Sequence, residues 1–400
     1  MALSRDLLVV PFSLALALAA LPSQAQQPAD PPPQPSPQQP AQPQQQEPGR
    51  PAGQPAEGAQ PGQPAAGPQT QPGQPAQPGN RTFLGYRWGN ADELRYRIQT
   101  TEQNLVNQQG KTNETNLTAE YDLRLKVQPA AAGAAPDEEP ANGNGKDSTI
   151  EMYFEQLHVQ ASPQGIDVDS TAPDAGKAGP LAPLPQVYAM VRNIPLRLVV
   201  TPGGRVKEVQ GLEEFVGAAR EAMPASPQRD QLLALMIPLT ESDVADRFAS
   251  IVLPLPAKHV EPGYSAPVTL PGPGGGELSG TITFLGTQGA NDGALVVERK
   301  LSAQNLPPNT VPQGNQALVV SIQDIRTDTQ LRISPDTNLP LGLEGKVETN
   351  QSMQPQGAQG QPTMVQTTRT IRTQLVGSPG AAGGTATGSP APEGAPPAPR

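Results

Sequence analysis

The stretch LRLVVTPGGRVKEVQGLEEFVGAAREAM, residues 196–223, changes its hydrophobic period halfway along. Leu196-Arg197-Leu198-Val199-Val200 has strand composition, Thr201-Pro202-Gly203-Gly204 carries turn chemistry, and Val206 to Val209 resumes a strand. Residues 196–210 therefore read as a hairpin. From Leu212 onward the apolar residues Leu212, Phe215, Val216, Ala219 and Met223 share one face at helical spacing. Glu213 and Glu214 in the first turn and Arg220 in the last suit the helix dipole, and Pro224 ends the helix. A strand pair thus runs directly into helix.

Two more helices follow. Ser226-Pro227 supplies an N-cap and a first-turn proline for a helix over Gln228–Ile237, and Thr240 with Asp243 resembles a shortened capping box. That third helix carries Val244, Phe248 and Ile251 inward. On both sides of the helical segment the period returns to two. Leu94, Tyr96 and Ile98 alternate with Arg95, Arg97 and Gln99, and Tyr121, Leu123, Leu125 and Val127 alternate with Asp122, Arg124 and Lys126. Ile150, Met152 and Phe154 keep one parity while Leu157 and Val159 take the other, which calls for a bulge near Glu155-Gln156. Further strands are expected around 280–284, 294–300, 317–325, 330–333, 343–349 and 364–376. Strands, then helices, then strands predict an α+β domain. Its core is a curved, mainly antiparallel β-sheet, a half-barrel being one form of it, with two or three short helices grouped on one face.

The domain expected from this pattern spans residues 81–377 of 400. Residues 1–25 open with Arg5 ahead of an apolar run from Leu7 to Leu21 and place Ser23 and Ala25 where a signal peptidase needs small residues, so cleavage is expected after Ala25. The apolar run is shorter than the roughly 20 residues that span a bilayer, and the mature chain is expected to hold no transmembrane segment. Residues 26–80 are built from Pro, Gln, Ala and Gly and read as a disordered spacer. Extended, such a spacer reaches beyond about 100 Å. It reads equally as a tether and as a passive low-complexity expansion. Residues 378–400 read as a disordered tail, and residues 129–147 and 171–185 as polar insertions. Cysteine is absent, which excludes disulfides, thiolate metal sites and a lipid-modified N-terminal Cys, and favours a bacterial periplasm or exterior.

No segment carries a catalytic signature. Only His158 and His259 are available to a triad or a two-His metal site, and no HExxH, GxSxG or SxxK motif accompanies them. Gly272-Pro273-Gly274-Gly275-Gly276 lacks the Lys-Ser or Lys-Thr of a phosphate loop. Asp167 and Asp169 lack the neighbouring oxygen ligands of a Ca²⁺ site. The formal net charge of −10 disfavours a nucleic-acid partner. Arg87, Arg95, Arg97, Arg124 and Lys126 form either a basic stripe for anionic polymers or lipids, or a solvated sheet face paired with acids such as Glu151 and Glu155. No catalytic residue, metal or cofactor is expected. Leu212, Phe215, Leu233, Met236, Phe248 and Ile251 are the candidate ligand-contacting residues, because an apolar helical segment over a sheet is either plain core or the wall of a cavity for a hydrophobic ligand.

Leu94-Arg95-Tyr96-Arg97, the run Leu196–Leu212, Leu253-Pro254-Leu255-Pro256 and Glu261-Pro262-Gly263-Tyr264-Ser265 together resemble a family of exported bacterial β-rich proteins of unknown function. The resemblance implies an envelope or extracellular location and supplies no catalytic residue; the lack of Cys departs from the lipid-anchored members. More distantly, the order of elements is similar to lipoprotein-carrier half-barrels, a likeness of fold alone. The function expected is that of an exported, non-enzymatic envelope protein whose β-rich domain binds another envelope component. The alternative is a carrier of lipid or another hydrophobic ligand.

Overall fold

The computed structural model describes residues 81–377 except 109, 129–145, 173–180, 227–228, 289–292, 314–315 and 358–360. The signal-peptide, spacer and tail segments lie outside the described residues, as does most of the insertion at 129–147 and the middle of that at 171–185.

The elements run β1 (Thr82–Leu84), β2 (Glu93–Gln108), β3 (Lys111–Val127), β4 (Ser148–Ser162), β5 (Ile166–Asp169), α1 (Leu184–Val191), β6 (Leu196–Val200), β7 (Val206–Gln210), α2 (Leu212–Glu221), α3 (Arg229–Met236) and α4 (Glu241–Ala249). They continue with β8 (Lys258–Val260), β9 (Ser265–Pro271), β10 (Glu277–Gln288), β11 (Ala294–Gln304), β12 (Asn309–Gln313), β13 (Gln316–Ile333), β14 (Pro340–Pro355) and β15 (Thr363–Gly377). β1 and β8 form a separate ribbon. All other strands join one antiparallel sheet in the order β7-β6-β4-β3-β2-β15-β14-β13-β11-β10-β9, with β5 on β4 and β12 on β13. The end strands β7 and β9 are not paired with each other, so the sheet stays open.

The strand pattern read from sequence is present, and longer. β2 runs 16 residues because its alternation of buried and exposed positions continues through polar residues: Leu94, Tyr96, Ile98, Thr100, Glu102 and Asn104 all face inward. A hairpin closing at Gln108 and Lys111 carries it into β3, with Gly110 at φ +78 in the turn, where only glycine is comfortable. In β4 the pairing steps from Asp122 opposite Gln156 to Leu123 opposite Phe154, leaving Glu155 as the extra residue. That bulge reconciles the two parities, and Phe154, Leu157 and Val159 are all buried. The strands expected at 317–325 and 330–333 are one continuous β13.

The helices expected at 212, 228 and 240 are α2, α3 and α4. Around α4 the Thr240 hydroxyl accepts from the Asp243 N–H at 3.2 Å, and the Asp243 carboxylate accepts from the Thr240 N–H at 2.9 Å, completing the capping box. One helix was not expected. Residues 171–185, read as a loop, run into α1, whose Leu184, Val187, Tyr188 and Val191 repeat at helical spacing and are all buried. The prolines at 183 and 185 sit at its N-terminus, where proline fits a helix, so they disguised a start as a break.

The sheet curls around the helices. The Tyr86 N–H donates to Pro202 O, in the β6–β7 turn, at 2.8 Å. The same Tyr86 interacts electrostatically with Arg299 of β11. β6 and β11 are seven strands apart in the sheet order, roughly 34 Å in a flat sheet at about 4.8 Å per strand. One residue reaches both only if the sheet bends round it. Ser250, just after α4, fixes the helical layer over β2: its carbonyl accepts from Thr373 of β15 at 2.6 Å, and its hydroxyl from Tyr121 of β3 at 3.3 Å.

Candidate binding site on the inner face of the sheet

Rows of side chains cross the inner face, and their chemistry changes within one pleat. The row Tyr121, Ile98, Thr373, Leu343, Leu331, Val297 and Phe284 lies in register across β3, β2, β15, β14, β13, β11 and β10. Every member is buried, and all but Thr373 belong to the apolar cluster that includes the helices. The next inward-facing row is Thr100, Ile371, Gly345, Thr329 and Arg299. After it come Glu102, Arg369, Val347, Thr327 and Leu301, then Asn104, Thr367, Thr349, Ile325 and Ala303. Thus the face is apolar under the helices and mixed beyond them, and a second cluster of Leu270, Leu278, Leu301, Leu306, Ile322 and Ile325 lies in the mixed part.

Much of this polar band satisfies itself. Thr367 donates to Asn104 Oδ1 at 2.6 Å, and Asn104 Nδ2 donates to Glu102 Oε1 at 2.9 Å. Burial pulls the pKa of Arg369, directly across from Glu102, down, and nearby Arg247 adds to this, while Tyr121 and the carboxylates of Glu102 and Asp246 oppose it. Arg247 of α4 faces Tyr121 at 5.0 Å from the ring centre; burial lowers its pKa, but Tyr121, Tyr188 and Asp243 outweigh it and raise the value. Arg299 differs. It is 6% exposed, its Nε and Nη1 have no hydrogen-bond partner among the described residues, and burial lowers its pKa to about 10, opposed only by the Tyr86 phenol. Thr327 Oγ1 and Gln351 Oε1 on the same face, and Trp88 Nε1, are also buried and unpartnered. Trp88 stacks on Tyr86 at 5.2 Å, and the Tyr86 hydroxyl donates to Leu253 O at 2.8 Å.

The residues singled out from sequence occupy the helical layer. Phe215, Leu233, Met236, Phe248 and Ile251 are buried in the large apolar cluster, and Leu212 packs against it. Phe215 meets Phe154 of β4, and Phe248 meets Trp88, each with ring centres 5.6 Å apart. A cleft between α4 and the β6–β7 turn, lined by Gly204, Val206, Phe248, Val252 and Pro254, has room for little more than one water molecule. Gly204 there sits at φ +81, with the Tyr86 ring where a Cβ would go.

On the outer face, three of the arginines read as a stripe are paired. Arg97 meets Asp122 with two hydrogen bonds of 3.0 Å, Arg124 meets Glu155 at 2.7 Å, and Arg95 meets Glu93 at 3.1 Å. Glu151 pairs with Arg197 at 3.3 Å. His158 contacts Asp167 at 2.8 Å, whereas His259 packs edge-on against Phe83, so the two histidines serve different strands. Among the described residues no group of three or more His, Asp or Glu is placed to hold a metal ion, and no helix is long and apolar enough to cross a membrane.

Sequence reasoning missed Arg299, Thr327 and Gln351. Arg299 falls in an expected strand as a lone polar residue, whereas Thr327 and Gln351 fall outside the strands expected from sequence. Only the parity shared with Leu331 and Val297 would have flagged them as facing inward.

No family model matches the chain, and no curated protein sequence matches it. Among solved structures it is similar to lipovitellin, in a structure concerned with lipid–protein interactions, at 10% identity and a TM-score of 0.38 over 71% of this chain. The chain spans about a quarter of lipovitellin, covering 25% of it. It is also similar to DynF from the dynemicin biosynthesis pathway of Micromonospora chersina, at 8% identity and a TM-score of 0.20, covering 78% of this chain and 92% of that one. A third likeness is to Pseudomonas aeruginosa OpdQ, at 8% identity and a TM-score of 0.17, covering 71% and 99%.

Proposed function

We propose that the chain is an exported, non-enzymatic binding protein of the bacterial envelope, and that its ligand is an amphiphile held between the inner face of the sheet and the helical segment. One observation carries this reading: the inner face passes within one pleat from an apolar row to rows bearing buried polar groups that the protein leaves unpartnered. A sheet that served only as core would gain by staying apolar there, since a buried unpaired polar group costs about 1–3 kcal/mol. An elongated ligand with an apolar tail and a polar head matches both halves of the face. Export is supported by the pattern of residues 1–25, and the absence of a catalytic signature supports a binding role.

Because α4 and Ile251–Leu255 fill the space over the apolar row, binding requires them to part from the sheet. Native mass spectrometry of full-length protein purified without detergent is the test. A co-purifying lipid, lost on organic extraction and regained on adding lipid, is expected. A ligand-free protein that also fails to bind an environment-sensitive acyl probe would sink the carrier role and return the inner face to plain core.

A further inference from the structure

We infer that Arg299 anchors the head of the ligand and that this head is an oxyanion, a carboxylate or a phosphate. The inference rests on the amphiphile reading above and adds to it the charge of the ligand. Among the described residues, arginines on α4, β15 and β11 reach the interior or its margin: Arg247, Arg369 and Arg299. Arg247 and Arg369 have carboxylate neighbours: Asp243 for the first, Glu102 and Asp246 for the second. Arg299 is the least solvent-exposed of the three, and among the described residues Tyr86, neutral near pH 7, is the one group that opposes the effect of its burial. A guanidinium stays charged at neutral pH even with burial acting on it. Taking an uncompensated cation out of water is among the costliest arrangements in a core, so a protein that keeps one gains something from it elsewhere.

The surroundings point the same way. Thr329 lies directly opposite Arg299 in the sheet, and the unpartnered Thr327 hydroxyl lies one row on, diagonally within about 7–8 Å. The indole N–H of Trp88, stacked on the same Tyr86 that Arg299 senses, is a further buried donor without an acceptor. Among the described residues the Arg299 Nε and Nη1, the Trp88 indole N–H and the Thr327 hydroxyl are unmatched, and no carboxylate is among the groups that act on Arg299. The unmatched N–H groups of one fixed positive charge, with threonine hydroxyls beside it in the sheet, are complementary to an oxyanion. The adjoining cluster of Leu270, Leu278, Leu301, Leu306, Ile322 and Ile325 on one side and the helix-covered row on the other offer apolar surface for a tail.

Calorimetric titration of the full chain with hexadecanoate, its methyl ester and inorganic phosphate tests the inference. Hexadecanoate is expected to bind about tenfold to a hundredfold more tightly than the ester, the size of a hydrogen bond to a charged group. Arg299→Met should erase that ratio by weakening the acid and leaving the ester unchanged, and Arg299→Lys should leave an intermediate ratio if the methionine variant does not fold. Without ligand, Arg299→Met should melt no lower than the unaltered protein, because it removes an uncompensated buried charge. Equal binding of acid and ester, or a ratio that survives in Arg299→Met, overturns the inference while leaving the carrier reading intact. Phosphate binding that depends on Arg299, with no binding of either acyl compound, keeps Arg299 as an oxyanion site, assigns the anion to a free source and removes the carrier reading. A lower melting temperature in Arg299→Met with the ratio unchanged would make Arg299 a structural residue and overturn it.

Discussion

The two halves of the inner face share the same strands and the same parity yet are stabilised differently. Under the helices, Ile98, Leu123, Leu331, Val297 and Phe284 belong to one large apolar cluster with α1 to α4. Beyond them the same strands turn Thr100, Glu102, Thr327, Arg299 and Gln351 inward, and the apolar residues there gather in small separate groups such as Val320, Met353 and Val365. The first half is built to be dry and rigid. In the second, each polar group is balanced by a neighbour or left in want of one. The difference teaches that strand alternation sets only which way a side chain points; whether the inward side is core is decided by what covers it.

Two leucines of the paired strands β13 and β11 probe that contrast most sharply. Leu331→Ala, in the helix-covered cluster, should cost toward the upper end of the roughly 2–5 kcal/mol typical of buried Leu→Ala changes, and Leu301→Ala, in the six-residue cluster, toward the lower end. Urea unfolding of both variants is the measurement. Equal losses would show that the outer cluster is packed as tightly as the inner one, and the contrast would fail.

A smaller effect is expected within the polar band. Glu102→Gln leaves the shape and an amide oxygen that can still accept from Asn104, but removes the negative charge opposite Arg369, and should cost about 1–3 kcal/mol. Arg299→Met, by contrast, should cost nothing in the absence of ligand. A loss in the first with none in the second would separate the balanced arginine from the unbalanced one, and a like loss in both would merge them.

The smallest effects belong to the outer face. Arg97→Ala should change stability by about 0.2–1 kcal/mol, because the pair with Asp122 is exposed and screened. Glu151 adds a pH signature. Burial alone would raise its pKa, but hydrogen bonds from Tyr153, Gln128 and Arg197 outweigh that and hold it below the ordinary carboxylate value. Its contribution is therefore complete above that ordinary value and is lost as pH falls through the depressed one. Glu151→Gln should flatten the acid limb of a melting-temperature profile; an unchanged limb would show that the pair contributes nothing.

Much of the fold was legible because it is written in short-range patterns. The alternation at 94–99 and 121–127, the parity break at Glu155, the turn at 201–204 and the capping box at Thr240 each involve neighbours within a few residues, and each is present in the structure. The site was less legible. Phe215, Phe248 and Ile251 are placed in the helical layer as their spacing implied, but the choice between core and ligand wall is not local. Arg299 was missed for the opposite reason, since a lone arginine in a strand reads as an outward residue until the fold encloses it.

The sequence by itself determined the period of each segment, and with it the strands, three of the four helices and the side of the sheet that Leu94, Tyr96 and Ile98 occupy. Tertiary structure alone decided that β2 pairs with β15, more than 250 residues away, and that the sheet bends until Tyr86, bonded to the β6–β7 turn, comes within electrostatic range of Arg299. Period is a property of neighbouring side chains, whereas enclosure depends on which distant strands meet. A buried charge is created only by that second choice.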